Sequence, residues 1–265
     1  MSDLSSRQNA LASEILAQQI PAARASTEAL GPGAGPVLAK LAGNQNVQIR
    51  LLVLELAPLA VSIETSKAVI SLLQDSSATV RSVASSDLAV CIQKEVVPDL
   101  VKLLESKPPP ELTVTIIQQI GIAGDRDNIK DVRAFRSSPD SDVAHQTAVA
   151  MARLGDPAEF QKIVTQLKSQ DQNERVQALR DCQYIGDRKL VKYFGPALDD
   201  MRDFMVITPP HMTPAVVARV CDIATQTMAY MGIRFSFQAE FLARFTPAQL
   251  DEAKRMVASL NVATP

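Results

Sequence analysis

The chain has 265 residues but no tryptophan, two histidines, three cysteines and a net charge of only −2. Each shortage excludes something. With 27 Lys plus Arg set against 29 Asp plus Glu, there is no basic field to draw in a phosphate backbone, so no nucleic-acid partner is expected. Cys91, Cys182 and Cys221 are odd in number and far apart, which fits neither a disulfide framework nor a clustered metal site. They are expected to be reduced thiols in packed helices. His145 and His211 stand 66 positions apart, and no Gly-x-Ser-x-Gly elbow or Gly-rich phosphate loop occurs. No catalytic residue, metal or cofactor is therefore expected. The longest greasy stretch, residues 51–61, is 11 residues long and holds Glu55 and Pro58, whereas a membrane helix needs roughly 20 apolar residues. No membrane span is expected, and because no secretory pattern opens the chain the expected location is the cytoplasm. Aromatics are scarce and lopsided: all eleven lie at or after Phe135, and seven of the eight methionines lie at or after Met151.

What the chain does have is a repeat. Ala123-Gly124-Asp125, Leu154-Gly155-Asp156 and Ile185-Gly186-Asp187 place their glycines 31 residues apart. Twelve residues before each glycine stand Leu112-Thr113, Val143-Ala144 and Glu174-Arg175, and the series continues upstream to Val80-Arg81 and Ile49-Arg50. A period of this length is the mark of a stacked array of supersecondary units. Three, four, seven, eight and eleven residues after each start the side chains are mostly apolar or small, one stripe of a 3.6-residue helix. Gly then offers a left-handed stop, and the Asp after it can cap the next helix. Partner helices are expected over 36–42, 66–73, 96–104, 128–135, 158–167 and 190–198, with no strand anywhere. Residues 220–232 fit the same template but start 46 rather than 31 residues after the previous start. The extra residues fall around 201–214, including Thr208-Pro209-Pro210-His211, and are expected to form a loop. Residues 1–35 read as an N-terminal helical cap, 36–200 as the repeats, and 201–265 as the insertion with a C-terminal capping repeat that ends in a helix over 248–260.

The Val-Arg opening and Leu-Gly-Asp close resemble the HEAT repeat family, in particular its bacterial, phycobilisome-lyase-type form. Val80-Arg81 and Ile49-Arg50 match the opening; Leu154-Gly155-Asp156 and Ile185-Gly186-Asp187 match the close. Val96-Val97-Pro98-Asp99-Leu100 also looks like an armadillo helix, and the first two repeats lack the Gly-Asp close. The resemblance implies an all-α, right-handed superhelix whose second helices line a concave face. The positions that would then face a partner include Leu51, Leu54, Glu55, Val114, Ile117, Gln118, His145, Val149, Val176, Leu179 and Arg180. Many of these are large and apolar, and a contiguous exposed apolar patch marks an interaction site. The alternative is that superhelical curvature buries them between repeats. Enzymes that share such repeats use residues absent here: there is no His-Glu pair to hold iron, and no basic, aromatic-lined surface for a damaged base.

The expected function is a non-enzymatic scaffold that binds another protein on its concave face. The runner-up is a lyase-like or chaperone-like accessory holding a small molecule among Met228, Met231, Phe235, Phe237, Phe241 and Phe245, which could equally well just seal the last repeat. Self-association through an exposed end is the third possibility.

Overall fold

The computed structural model describes residues 2–206, 216–240 and 243–262. Its helices run in order α1 (Ser2–Leu16), α2 (Ile20–Leu30), α3 (Gly35–Leu41), α4 (Val47–Leu56), α5 (Ile63–Leu72), α6 (Ala78–Cys91), α7 (Val97–Glu105) and α8 (Pro110–Ala123). They continue as α9 (Ile129–Val132), α10 (Ser141–Arg153), α11 (Pro157–Leu167), α12 (Gln172–Ile185) and α13 (Gly195–Leu198). After a pair of short strands come α14 (Val220–Tyr230) and α15 (Pro247–Val262). The fold class is all-α. Helices α4, α6, α8, α10 and α12 begin two or three residues before the five periodic starts, so the repeat is a helix pair, as the spacing predicts.

Polar side chains fix where these helices begin. Asn46 accepts from Gln48 N at 2.9 Å, Asp140 from Val143 N at 3.0 Å and Asp171 from Asn173 N at 2.7 Å, opening α4, α10 and α12. The aspartates of the Gly-Asp closes act as expected: Asp125, Asp156 and Asp187 accept from Asp127 N, Ala158 N and Lys189 N. Each satisfies main-chain donors that a helix start leaves without partners. The glycines before them divide. Gly155 and Gly186 have φ of +96° and +70°, the left-handed stop that the motif predicts. Gly124 does not: its φ is −78°. Glycine stands there because a Cβ would lie 2.5 Å from Ile120 O and 2.7 Å from Asn128 Oδ1.

The chain divides into two compact units, Met1–Ala150 and Met151–Pro265, with α10 running from one into the other. In the N-terminal unit α1 packs on α2, α3 and α4; α5 packs on α3 and α6; α6 also packs on α4 and α8, and α8 on α7. Its fully buried large side chains, among them Leu11, Ile15, Leu38, Leu54, Leu56, Leu88, Leu100 and Ile116, are all aliphatic. In the C-terminal unit α11 packs on α12, α12 on α14, and α13 on α14 and α15. There Phe194 and Phe245 join Leu167, Val176, Leu179 and Met228 in the interior. No described helix is long and apolar enough to cross a membrane.

One expectation fails at the break in the period. The residues read as a loop contain strand β1 (Asp203–Val206), antiparallel to β2 (Val216–Arg219), with Asp203 opposite Arg219 and Val206 opposite Val216. The runs Asp-Phe-Met-Val and Val-Val-Ala-Arg carry the aromatic and β-branched residues that favour extended backbone. A helical template laid over the whole chain obscured them. Residues 207–215, with Thr208, Pro209 and His211, lie outside the described residues.

Candidate functional site

Two buried ion pairs hold successive loops together. Arg50 meets Asp75 through Nε to Oδ2 at 2.6 Å and Nη2 to Oδ1 at 2.9 Å, and its Nη1 donates to Asn44 O and Gln45 O. Arg175 repeats the arrangement, pairing with Asp200 and donating to Ser169 O. Both partners lie 25 residues ahead, at the close of the next first helix. Where the repeat supplies no aspartate at that distance the arginine keeps only its own loop: Arg81 Nη1 donates to Asp75 O at 2.6 Å and Ser76 O at 3.1 Å, and Arg81 is exposed. In the next repeat Thr113 stands in the same place and donates to Pro108 O and Pro109 O. The second residue of the Val-Arg opening is thus a turn-closing donor. Arg50 beside Asp75 holds that carboxyl below the ordinary carboxylate range despite burial.

The expected concave residues do not form one exposed apolar patch. Leu54, Ile117, Val176 and Leu179 are fully buried and Val149 is 3% exposed, so these five belong to the core. The reason is packing: α4 is flanked by α1, α2, α3 and α6, and α6 by α4, α5 and α8. Neighbours on several sides bury a wider arc than one stripe. Glu55, His145 and Arg180 are exposed, and Leu51, Val114 and Gln118 are half-buried. Those six are the residues of the expected set that remain at a surface.

Within the N-terminal unit α6 and α8 bound a groove of about 560 Å³. Arg81, Ser82 and Ser85 line it from α6, and Glu111, Leu112 and Thr115 from α8; Leu73, Gln74, Asp75 and Pro109 complete it. Ser85 Oγ donates to Arg81 O at 2.9 Å and Thr115 Oγ1 to Glu111 O at 3.1 Å. With their protons turned onto their own helices, both hydroxyls present lone pairs to the groove. Glu111 adds a solvent-exposed carboxylate. The walls are therefore rich in acceptors, while Leu73, Leu112 and Pro109 give it apolar surface. The serines of α6 carried this signal in the sequence, but a search for large hydrophobes passed over them.

Asp87, further along α6, is half-buried. Burial pushes its carboxyl above the usual aspartate range, and it has neither a hydrogen-bond nor an ion-pair partner. It also sits in the last turns of α6, where the helix dipole disfavours an anion. Asp87→Asn should therefore stabilise the chain at pH 7 by roughly 0.5–1 kcal/mol. Because the folded state raises this pKa above 3.8, the penalty is complete above the folded value and vanishes below the unfolded one. Urea denaturation should show a gain at pH 7 and none at pH 3.5; a loss at pH 7 would reject this account.

The cysteines offer no reactive thiol. All three are free and buried, and burial pushes Cys91 up to about 12 and raises Cys182 and Cys221 as well. The C-terminal Met and Phe residues pack on one another: Met228, Met231 and Phe245 are buried, Phe245 joins Cys221 and Leu250, and Phe237 lies against that cluster. Phe241 lies outside the described residues.

Comparison with known proteins agrees with this geometry. Residues 97–180 match the family model for HEAT repeats. Among solved structures the chain is similar to the complex of CpcE and CpcF of phycocyanin lyase from Nostoc sp. PCC7120, with a TM-score of 0.49 and 17% identity over 96% of this chain and 94% of that one. No curated protein matches. Helix pairs at a 31-residue period, with loops closed by the Val-Arg arginine and the Gly-Asp aspartate, are thus HEAT repeats, and the chain is a HEAT-repeat protein of the all-α class.

Proposed function

We propose that this chain is a non-enzymatic scaffold that holds an extended segment of another protein against its second helices, with the α6–α8 groove as the principal contact. The observation that supports the reading is the groove itself, in which acceptor oxygens on both walls flank an apolar base. An extended peptide brings unpaired main-chain N–H groups and alternating side chains, and needs that combination. Val114 and Gln118 continue the α8 side of the same face.

The test places a photo-crosslinking residue at Ser85 or Thr115, or at the exposed Lys102 of α7 as a control, in lysate from the native host. One adduct of the same mass should form at Ser85 and Thr115 and be absent at Lys102. A Ser85→Arg, Thr115→Arg double variant, carrying the crosslinker at Ser82, should lose that adduct while keeping its helical circular dichroism. Equal labelling at all three sites, or none, would reject the groove.

A further inference from the structure

Residues 233–240 follow the left-handed Gly232, whose φ is +82°. Along them Ile233, Phe235, Phe237 and Ala239 are half-buried, while Arg234, Ser236, Gln238 and Glu240 are exposed. This is the two-residue period of extended chain lying on a surface. Yet no backbone ladder holds it: among the described residues, 234–239 make no main-chain to main-chain hydrogen bond. What holds the segment is side chains reaching from the neighbouring helices. Glu252 on α15 accepts from Ser236 N at 2.7 Å and from Ser236 Oγ. Gln226 on α14 donates to Glu240 O at 2.8 Å, and Arg188 donates to Gly232 O at 2.6 Å where the segment begins.

The ground beneath is fixed differently. Arg219 and Asp222 form a buried bidentate pair, Arg219 donates to Phe245 O at 2.7 Å and Asp222 accepts from Phe245 N at 3.0 Å. Phe245, Cys221 and Leu250 make the cluster onto which Phe237 and Ala239 fold. Phe237 stacks on Phe235 with ring centroids 4.9 Å apart and meets Phe245 at 5.4 Å. A main chain held by a few exposed side-chain bonds over a pinned apolar base opens before the base does, because local stability follows local bonding.

We infer that residues 233–240 form a strap that opens as a unit on Gly232, latched by Glu252 and Gln226, and that its opening uncovers the Cys221, Phe245 and Leu250 surface while the helices stay folded. Cys221 has no solvent exposure with the strap closed, so its alkylation reports opening, and Cys91 and Cys182 serve as internal references. The full-length chain is labelled with N-ethylmaleimide at pH 8 under native conditions, and each cysteine is followed by mass spectrometry of its peptide. Cys221 should react at least tenfold faster than Cys91 and Cys182. A Glu252→Gln, Gln226→Leu variant should speed Cys221 alone by about tenfold or more and speed amide exchange at Ser236. The strap is rejected if the three cysteines react at one common rate, or if the variant accelerates all of them together. If the variant proves unfolded by circular dichroism, the wild-type ratio of rates and the exchange of Ser236 against Phe245 decide the question unaided: equal protection at the two amides overturns it.

Discussion

Ile117→Asp should unfold the N-terminal unit. Ile117 is fully buried on α8, in an interior built from aliphatic side chains, and a carboxylate placed there has neither water nor a counter-charge. An unpaired buried charge costs several kcal/mol, and the lost isoleucine methyls about 2–4 more. Domains are stable by roughly 5–15 kcal/mol in all. Leu54→Asp should behave alike, whereas Ser86→Asp on the exposed face of α6 should shift stability by no more than about 0.5 kcal/mol. Circular dichroism and urea titration of the three variants check this. If Ile117→Asp kept its helices and its midpoint, the position would be a surface one and the register of the second helices would be wrong. The outcome matters for function too: loss of binding in such a variant would report loss of folding, so a test of the binding face belongs at Ser85 and Thr115.

How far the sequence was legible depends on which contact set each feature. The helix pairs were readable because their punctuation is local: Asp125, Asp156 and Asp187 cap within three residues, and Gly155 and Gly186 need only their own φ. The start of α15 was readable for the same reason, since Thr246 Oγ1 accepts from Gln249 N. Burial was less readable because it is set by neighbours far along the chain. Leu54 and Ile117 lie five residues after their starts, outside the stripe that a single helix pair would bury. They are covered because second helices pack on one another, as α6 does on α4 and α8. Gly124 was misread in detail: its motif matches the other two, but the reason for glycine is the closeness of Ile120 O and Asn128. The groove was invisible to a search for apolar side chains, because its distinguishing chemistry lies in where Ser85 and Thr115 send their protons.

The buried arginine pairs carry the second large effect. Asp200→Ala should destabilise the C-terminal unit by about 3–5 kcal/mol at pH 7, since it leaves Arg175 buried without its carboxylate. Arg175 and Asp200 side chains are only 5% and 4% exposed. Asp200 also receives Arg202, whose Nη2 to Oδ2 distance is 2.7 Å, and Arg202 first and then Arg175 hold its carboxyl below the ordinary range. The folded pKa therefore lies under the unfolded value of 3.8. The pair's stabilisation is complete above that value and is lost as pH falls through the folded one. The deficit of Asp200→Ala against wild type should be full at pH 5 and above and shrink below pH 3.8. Replacing both partners, as Arg175→Met with Asp200→Leu, should restore most of the loss, because a buried pair exchanged for apolar groups of similar volume is about neutral. Urea midpoints of the two variants and wild type at pH 7 and pH 3 distinguish the cases. A double variant as unstable as Asp200→Ala would mean that Asp200 acts mainly through its other contacts, the Arg202 side chain and the turn that its Oδ1 closes on Arg202 N at 3.2 Å. The equivalent pair in the N-terminal unit, Arg50 with Asp75, should obey the same rule, since it has the same 25-residue spacing and comparable burial. Agreement between the two would establish that the arginine of each Val-Arg opening locks one repeat to the next only where an aspartate stands 25 residues ahead.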